Sequence, residues 1–317
     1  MAKFIVRALF VLCPIAVLTV LLVSVTYRTE LEVLKNDLRC PTNIVAAVVG
    51  DSRVEVYFNP EDIPWLRNFG LSATPFVVTA HKARMIAEQN PHLGLIIVDV
   101  WPGTFFSSLD VPFAVSASSA PYSVSIIELM TRKDMPPFGD GFEIRVANGI
   151  VKPGISHLIH GLSSAVSNLT GGFLENNKYI SKWLVAGHEY NGPFGPPKSP
   201  WQFKDVPTGG EIVLEHLLED LKEKGVKVVL TTTPLLWYDK RYSLESRAYF
   251  ERRMHEISVK HGVPWLNWMN DYQDEMALWA DGTHLNHIGA KAFSREKRLL
   301  LEVLLNERFR SCDRPSR

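Results

Sequence analysis

The stretch that most limits what this chain can fold into is Ile44-Val45-Ala46-Ala47-Val48-Val49-Gly50-Asp51-Ser52-Arg53. An unbroken apolar run of strand length, stopped abruptly by Gly-Asp-Ser, reads as a strand buried on both faces of a parallel sheet. The carboxyl end of such a strand is the edge at which open α/β sheets bind ligands, and here it presents the Ser52 hydroxyl. The same triplet also reads as an ordinary helix start, with Asp51 or Ser52 capping free backbone N–H groups.

A serine hydroxyl is a poor nucleophile until an imidazole accepts its proton, and that imidazole needs a carboxylate to fix its tautomer and balance its charge. Far downstream, Asp281-Gly282-Thr283-His284-Leu285-Asn286-His287-Ile288-Gly289-Ala290 offers both groups, three residues apart on a short loop entering a helix. Gly-Asp-Ser near the start and Asp-x-x-His near the end together resemble the SGNH (GDSL) hydrolase superfamily. Further blocks follow in order. Asn68-Phe69-Gly70-Leu71-Ser72-Ala73 is similar to the second block, Asn-x-Gly-x-Ser-Gly, with Ala73 in place of the last glycine. Residues 95–106 are similar to the third block, which ends Gly-x-Asn-Asp; here Phe105 stands for the oxyanion Asn and Phe106 for the Asp. The resemblance covers roughly residues 43–105 and 225–305. It implies Ser52 as nucleophile, His284 as general base, Asp281 as orienting carboxylate, and the backbone N–H groups of Gly70 and Ser52 as oxyanion donors. Loss of one such donor typically costs about a hundred- to a thousand-fold in rate.

With 317 residues, 46% hydrophobic and 21% charged, the chain has material for one sizeable α/β core plus a membrane element. Thirty-four basic residues balance thirty-four acidic ones, so composition gives no argument for a nucleic-acid partner. Lys3 and Arg7 precede the apolar residues 8–26, about the length that crosses a bilayer as a helix. The basic flank favours a cytoplasmic amino terminus with the rest of the chain outside. A cleaved signal peptide competes with this, but the run is long for one and no small-x-small site follows it. We therefore expect a cytoplasmic tip and single-pass anchor over 1–27 and a stalk over 28–42. The hydrolase domain then spans 43–312. Outside the membrane cysteine pairing is chemically open, and Cys40 and Cys312 flank the domain; they either bridge its two ends or stay as free thiols.

Apolar residues at helical spacing over 76–89, a strand from Leu95, a helix over 211–224, a strand within 225–234, a helix over 243–261, a short strand at 263–266 and a last helix over 288–308 set up a βαβ rhythm. Residues 57–66, with Pro60 and Pro64, read as a connection. Such alternation predicts a three-layer α/β/α domain with a flavodoxin-like parallel sheet. Between about 104 and 210 the rhythm is lost, over a span far longer than an ordinary connection. Leaving from the carboxyl end of a strand, this insertion is expected to rise as a cap over the catalytic edge, with helix-like patches at 123–132 and 155–169.

Branches of the resembled superfamily acting on exported polysaccharides, such as the alginate acetylation proteins and the proteins of D-alanine transfer to teichoic acids, also join an amino-terminal anchor to divergent blocks. By that resemblance the chain is an extracytoplasmic serine esterase or O-acyltransferase, working through an acyl-Ser52 intermediate. Its substrate would be an acylated cell-envelope or exported glycan, or a small ester, and a membrane acyltransferase its partner. Of a different class is an inactive SGNH-fold protein that binds a glycan or a partner in an envelope assembly.

Other features weigh less. His284 and His287 beside Asp281 lack the further ligands a zinc site wants, and neither metal nor cofactor is expected. His157 and His160 lie on an amphipathic patch, and Asn168-Leu169-Thr170 matches a glycosylation acceptor. Tryptophans 101, 183, 201, 237, 265, 268 and 279 offer either sugar-stacking faces or packing. Arg53 either pairs with an acidic group of the substrate or points into solvent.

Overall fold

The computed structural model describes residues 38–70, 76–105 and 209–312. The expected anchor and most of the stalk, the insertion with its two helix-like patches, His157, His160, Asn168, Trp183 and Trp201 lie outside these. Among the described residues no helix is long and apolar enough to cross a membrane.

Five strands form one parallel sheet: β1 (Ala46–Val49), β2 (Leu66–Asn68), β3 (Leu95–Asp99), β4 (Lys227–Thr232) and β5 (Trp265–Asn267). Their order across the sheet is β2-β1-β3-β4-β5, all pairs parallel. This is the flavodoxin-like order, in which the winding reverses between β1 and β3 and leaves a crevice at their carboxyl ends. The helices are α1 (Ser52–Tyr57), α2 (Phe76–Gln89), α3 (Gly209–Glu223), α4 (Tyr238–Arg241), α5 (Leu244–His261) and α6 (His287–Cys312), with 3₁₀ turns at Pro102–Phe105 and Met276–Leu278.

Three layers follow from the period of two along each strand. Ala47 and Val49 of β1, Ile96 and Val98 of β3, and Val228 and Leu230 of β4 pack into one core with α2, α3 and α5. Ala46, Val48, Leu95, Ile97 and Val229 face the other way, onto α1 and α6. Because both faces are covered, the strands carry no polar alternation, which is why they were visible as solid apolar runs. The connection expected over 57–66 is shorter than the sequence suggests: Ser52–Tyr57 is helical, and Leu66–Asn68 is an edge strand with only one fully buried apolar side chain, Leu66. Gly262 ends α5 at φ 65°, its N–H bonding the carbonyls of Ser258 and Val259.

Two junctions fix how the chain enters and leaves this body. Asn90, just past α2, donates through Nδ2 to the Leu38 carbonyl at 2.7 Å and accepts the Cys40 N–H at 2.6 Å, fastening the start of the domain at the rim where the strands begin. Cys40 is a free thiol among the described residues, and burial pushes its pKa up; the side chain of its expected partner Cys312 lies outside them. At the opposite rim Thr104 and Gly210 meet backbone to backbone: a methyl group on Gly210 would fall 1.9 Å from the Thr104 carbonyl oxygen. The long insertion therefore leaves and returns at one point on the carboxyl side of the sheet.

Candidate active site

β1 ends in a turn with no room for side chains at its corner. A Cβ on Gly50 would lie 2.2 Å from Val54 Cγ2 and 3.0 Å from the Asp99 Cβ, so glycine is required for close approach. Asp51 then caps α1, its Oδ1 accepting the Arg53 N–H at 2.9 Å, and Ser52 opens the helix. Cap and hydroxyl-bearing residue, alternatives in the sequence, occupy neighbouring positions. The far end of α1 is held by Asn68 of β2, whose Nδ2 donates to the carbonyls of Val54 at 2.7 Å and Phe58 at 2.8 Å.

The downstream loop is built around the N-terminus of α6. Asn286 accepts the N–H groups of Ile288 and Gly289, each at 3.0 Å, and donates to the Ala277 carbonyl at 2.6 Å. A Cβ on Gly289 would fall 2.3 Å from the Leu278 carbonyl oxygen, and Leu285 is fully buried, so Leu-Asn-x-x-Gly is needed to seat the loop. Within it Asp281 Oδ1 accepts the N–H groups of Thr283 at 2.6 Å and His284 at 2.8 Å and the Thr283 hydroxyl at 2.8 Å. Oδ2 is left for His284 Nδ1, at 2.8 Å. With Nδ1 donating to the carboxylate, Nε2 is the acceptor, and it stands 2.7 Å from Ser52 Oγ. Two residues 232 positions apart thus meet in hydrogen-bonding contact at the carboxyl edge of the sheet. Burial works against the Asp281 charge. The hydrogen bond from His284 and the donors of Thr283 outweigh it and hold the carboxyl well below the usual carboxylate range, so it stays ionised beside the imidazole.

Arg53 neither faces solvent nor waits for an acidic substrate group. It is 2% exposed. Its Nε and Nη2 fork onto Asp51 at 3.1 and 2.9 Å, Nη2 also reaches Asp99 at 3.2 Å, and the guanidinium lies 4.5 Å over the Trp101 ring. Asp99, at the end of β3, accepts the Thr233 N–H at 3.0 Å. Burial pushes the Asp99 carboxyl up to about 6, against the pull of Arg53.

Of the two oxyanion donors the resemblance implies, Gly70 and Ser52, the first already has a partner within the protein. The Gly70 N–H donates to Asn68 Oδ1 at 2.7 Å, and its Cα is pressed against α1, where a Cβ would meet the Glu55 nitrogen at 2.2 Å. Phe105 is a core residue, 1% exposed, its ring centroid 5.1 Å from that of Phe250 on α5. Ser52 is the first residue of α1, so its own N–H is among those a helix start leaves without an intrahelical partner. Among the described residues no three His, Cys, Asp or Glu side chains gather to hold a metal. Asp99, Tyr57 and Thr283 were not legible as site residues; only the position of Asp99 at a strand's carboxyl end hinted at its place.

Fold and site together define an α/β protein of flavodoxin-like order that carries a Ser-His-Asp constellation at the carboxyl edge of its sheet. No protein-family model matches the chain, and no curated protein does. Among solved structures it is similar to a presumed acylhydrolase from Bacteroides fragilis NCTC 9343, at 10% identity over 83% of this chain and 86% of that one with a TM-score of 0.40. It is also similar to a GDSL-like lipase from Bacteroides thetaiotaomicron VPI-5482, at 11% identity over 89% and 97% with a TM-score of 0.41. What the chain does is read from its own residues.

Proposed function

We propose that the chain is a serine ester hydrolase or O-acyltransferase of the SGNH/GDSL type, with Ser52 as nucleophile, His284 as general base and Asp281 as the carboxylate that fixes the imidazole. The observation that carries this is the continuous contact from Asp281 Oδ2 through His284 to Ser52 Oγ, at 2.8 and 2.7 Å. Ser52 Oγ attacks the ester carbonyl as its proton passes to His284 Nε2, and His284 returns that proton to the leaving alcohol. Water then releases the acyl group, or a sugar hydroxyl takes it.

The substrate class we propose is an acylated extracytoplasmic glycan, with the chain tethered by residues 8–26. Support comes from the length of that apolar run, its basic flank and the layout of the resembled envelope branches. Turnover of p-nitrophenyl acetate by the full chain, lost in Ser52→Ala, and an acyl adduct on Ser52 by mass spectrometry are the expected results; equal rates for both proteins with no adduct would sink the catalytic reading. Resistance of the protein to alkaline extraction from membranes, with the domain open to external protease, tests the tether.

A second reading is favoured by one observation. The Gly70 N–H is already taken and Phe105 is buried, so among the described residues neither of these positions offers a free oxyanion donor, as a glycan- or partner-binding relative would tolerate. Glycan binding that survives in Ser52→Ala, without turnover by the wild type, would select it.

A further inference from the structure

A forked ion cluster lies under the nucleophile turn. Arg53 and Asp51 flank Ser52 in the chain, and both side chains are locked to each other and to Asp99. Asp99 is fixed in turn by the Thr233 N–H and by the hydroxyls of Thr233 at 3.3 Å and Thr231 at 3.4 Å. A line of hydrogen bonds therefore runs from the end of β4, through the end of β3, into the cap that seats Ser52. Arg53 Nη1 is buried with no hydrogen-bond partner among the described residues. Arg53 also lines a cavity of about 10 Å³ at the crevice between β1, β3 and α2, where Phe76, Thr79, Trp101 and Thr104 complete the wall.

Two carboxylates against one guanidinium leave the cluster with no surplus positive charge, so an anionic substrate group gains nothing there. Nor is stability a sufficient reason for it. Desolvating three charged groups costs about as much as their attraction returns, and buried ion clusters are often neutral beside well-packed apolar residues. What the fork does provide is geometry. A bidentate guanidinium with a ring stacked on its face has almost no freedom to rotate, and the cap it grips cannot swing without breaking it.

We infer that Arg53 is a positioning residue for Ser52: clamped between Asp51 and Asp99, it holds the turn after β1 so that the hydroxyl stays in line with His284 Nε2. This rests on Ser52 being a nucleophile. Arg53 acts through Asp51 and touches no reacting atom.

The test uses the full chain as wild type, Arg53→Met, Arg53→Lys, Asp99→Asn and the double variant Arg53→Met with Asp99→Asn. Rates of Ser52 labelling by a fluorophosphonate are read alongside kcat and KM for p-nitrophenyl acetate and near-UV circular dichroism at one temperature. Arg53→Met should label and turn over ten- to a hundred-fold more slowly, with KM within threefold of wild type. Arg53→Lys, which keeps the charge but not the fork, should stay at least fivefold slow. Asp99→Asn should add nothing to Arg53→Met, because both break one line of bonds. Wild-type labelling in a folded Arg53→Met or Arg53→Lys protein overturns the inference, as does a loss confined to KM. Should Arg53→Met fail to fold, folded Arg53→Lys decides alone. A wild-type Ser52 that resists labelling removes the esterase reading together with this one, an outcome distinct from equal labelling of wild type and variant.

Discussion

The hydroxyl of Tyr57, at the far end of α1 from Ser52, donates to the carbonyl oxygen of Thr283, the residue before His284, at 2.7 Å. The same hydroxyl lies 3.2 Å from the Pro234 carbonyl oxygen beyond β4. Burial raises the Tyr57 pKa well above its ordinary value, so the phenol remains a donor. The helix that carries Ser52 and the loop that carries His284 are therefore joined away from the chemistry as well as at it. Tyr57→Phe removes the donor that these two carbonyls share and should cost about 1–3 kcal/mol. Urea unfolding checks this, and a fall in kcat of roughly tenfold with little change in KM should accompany it.

Replacing the carboxylate tests the tautomer. Asp281→Asn turns the group facing His284 Nδ1 into one that can donate, which favours the imidazole form with its proton on Nε2, pointing at Ser52. A loss of about 10⁴ in kcat is expected, by analogy with serine hydrolases of this constellation. A variant within tenfold of wild type on p-nitrophenyl acetate would mean that Asp281 is not the orienting group.

Placing at position 105 the Asn of the resembled third block should not supply a donor. Phe105 sits in the core against Phe250, so Phe105→Asn removes a large buried ring and buries an amide in its place. Destabilisation of about 3–5 kcal/mol is expected, with no gain in kcat per folded molecule. Faster turnover would show instead that this side chain can reach the reacting ester.

Lys82 of α2 is 5% exposed, donates to the Phe69 carbonyl at 2.5 Å, and has its pKa lowered by burial to about 8, against an ordinary 10.5. Between these values the unfolded chain binds the proton that the folded chain has released, so this group makes stability rise with pH from about 8 to 10.5 and level off below. The whole effect is at most about 3 kcal/mol. Urea midpoints at both ends of that window should differ in wild type, and by less in Lys82→Met.

Much of the layout was legible because the strands are covered on both faces: residues 44–49 and 95–99 could only be buried strands. Residues 76–89 showed helical spacing and form a helix of those bounds. Ser52, Asp281 and His284 could be picked out because Gly-Asp-Ser and Asp-x-x-His stand in the order of the resembled superfamily's blocks, and a serine nucleophile needs an imidazole and a carboxylate beside it. Less visible were elements held by single polar side chains. The edge strand Leu66–Asn68 is too short to show a period, and α1 depends on Asn68 for its far end. Arg53 could not be placed, since its partner Asp99 is 46 residues away and resembles any acid closing a strand. Gly70 was read from its block, yet the Asn68 side chain that the block also contains takes its N–H.

Asn90 secures Leu38 and Cys40 at the end of the sheet where strands start, while Ser52 and His284 occupy the end where they finish. Whatever lies upstream of residue 38 consequently joins the domain at its back. Under the tether proposed above, the point of attachment and the Ser52–His284 edge lie at opposite ends of the sheet, so a large polymer would meet that edge head-on without threading past the attachment.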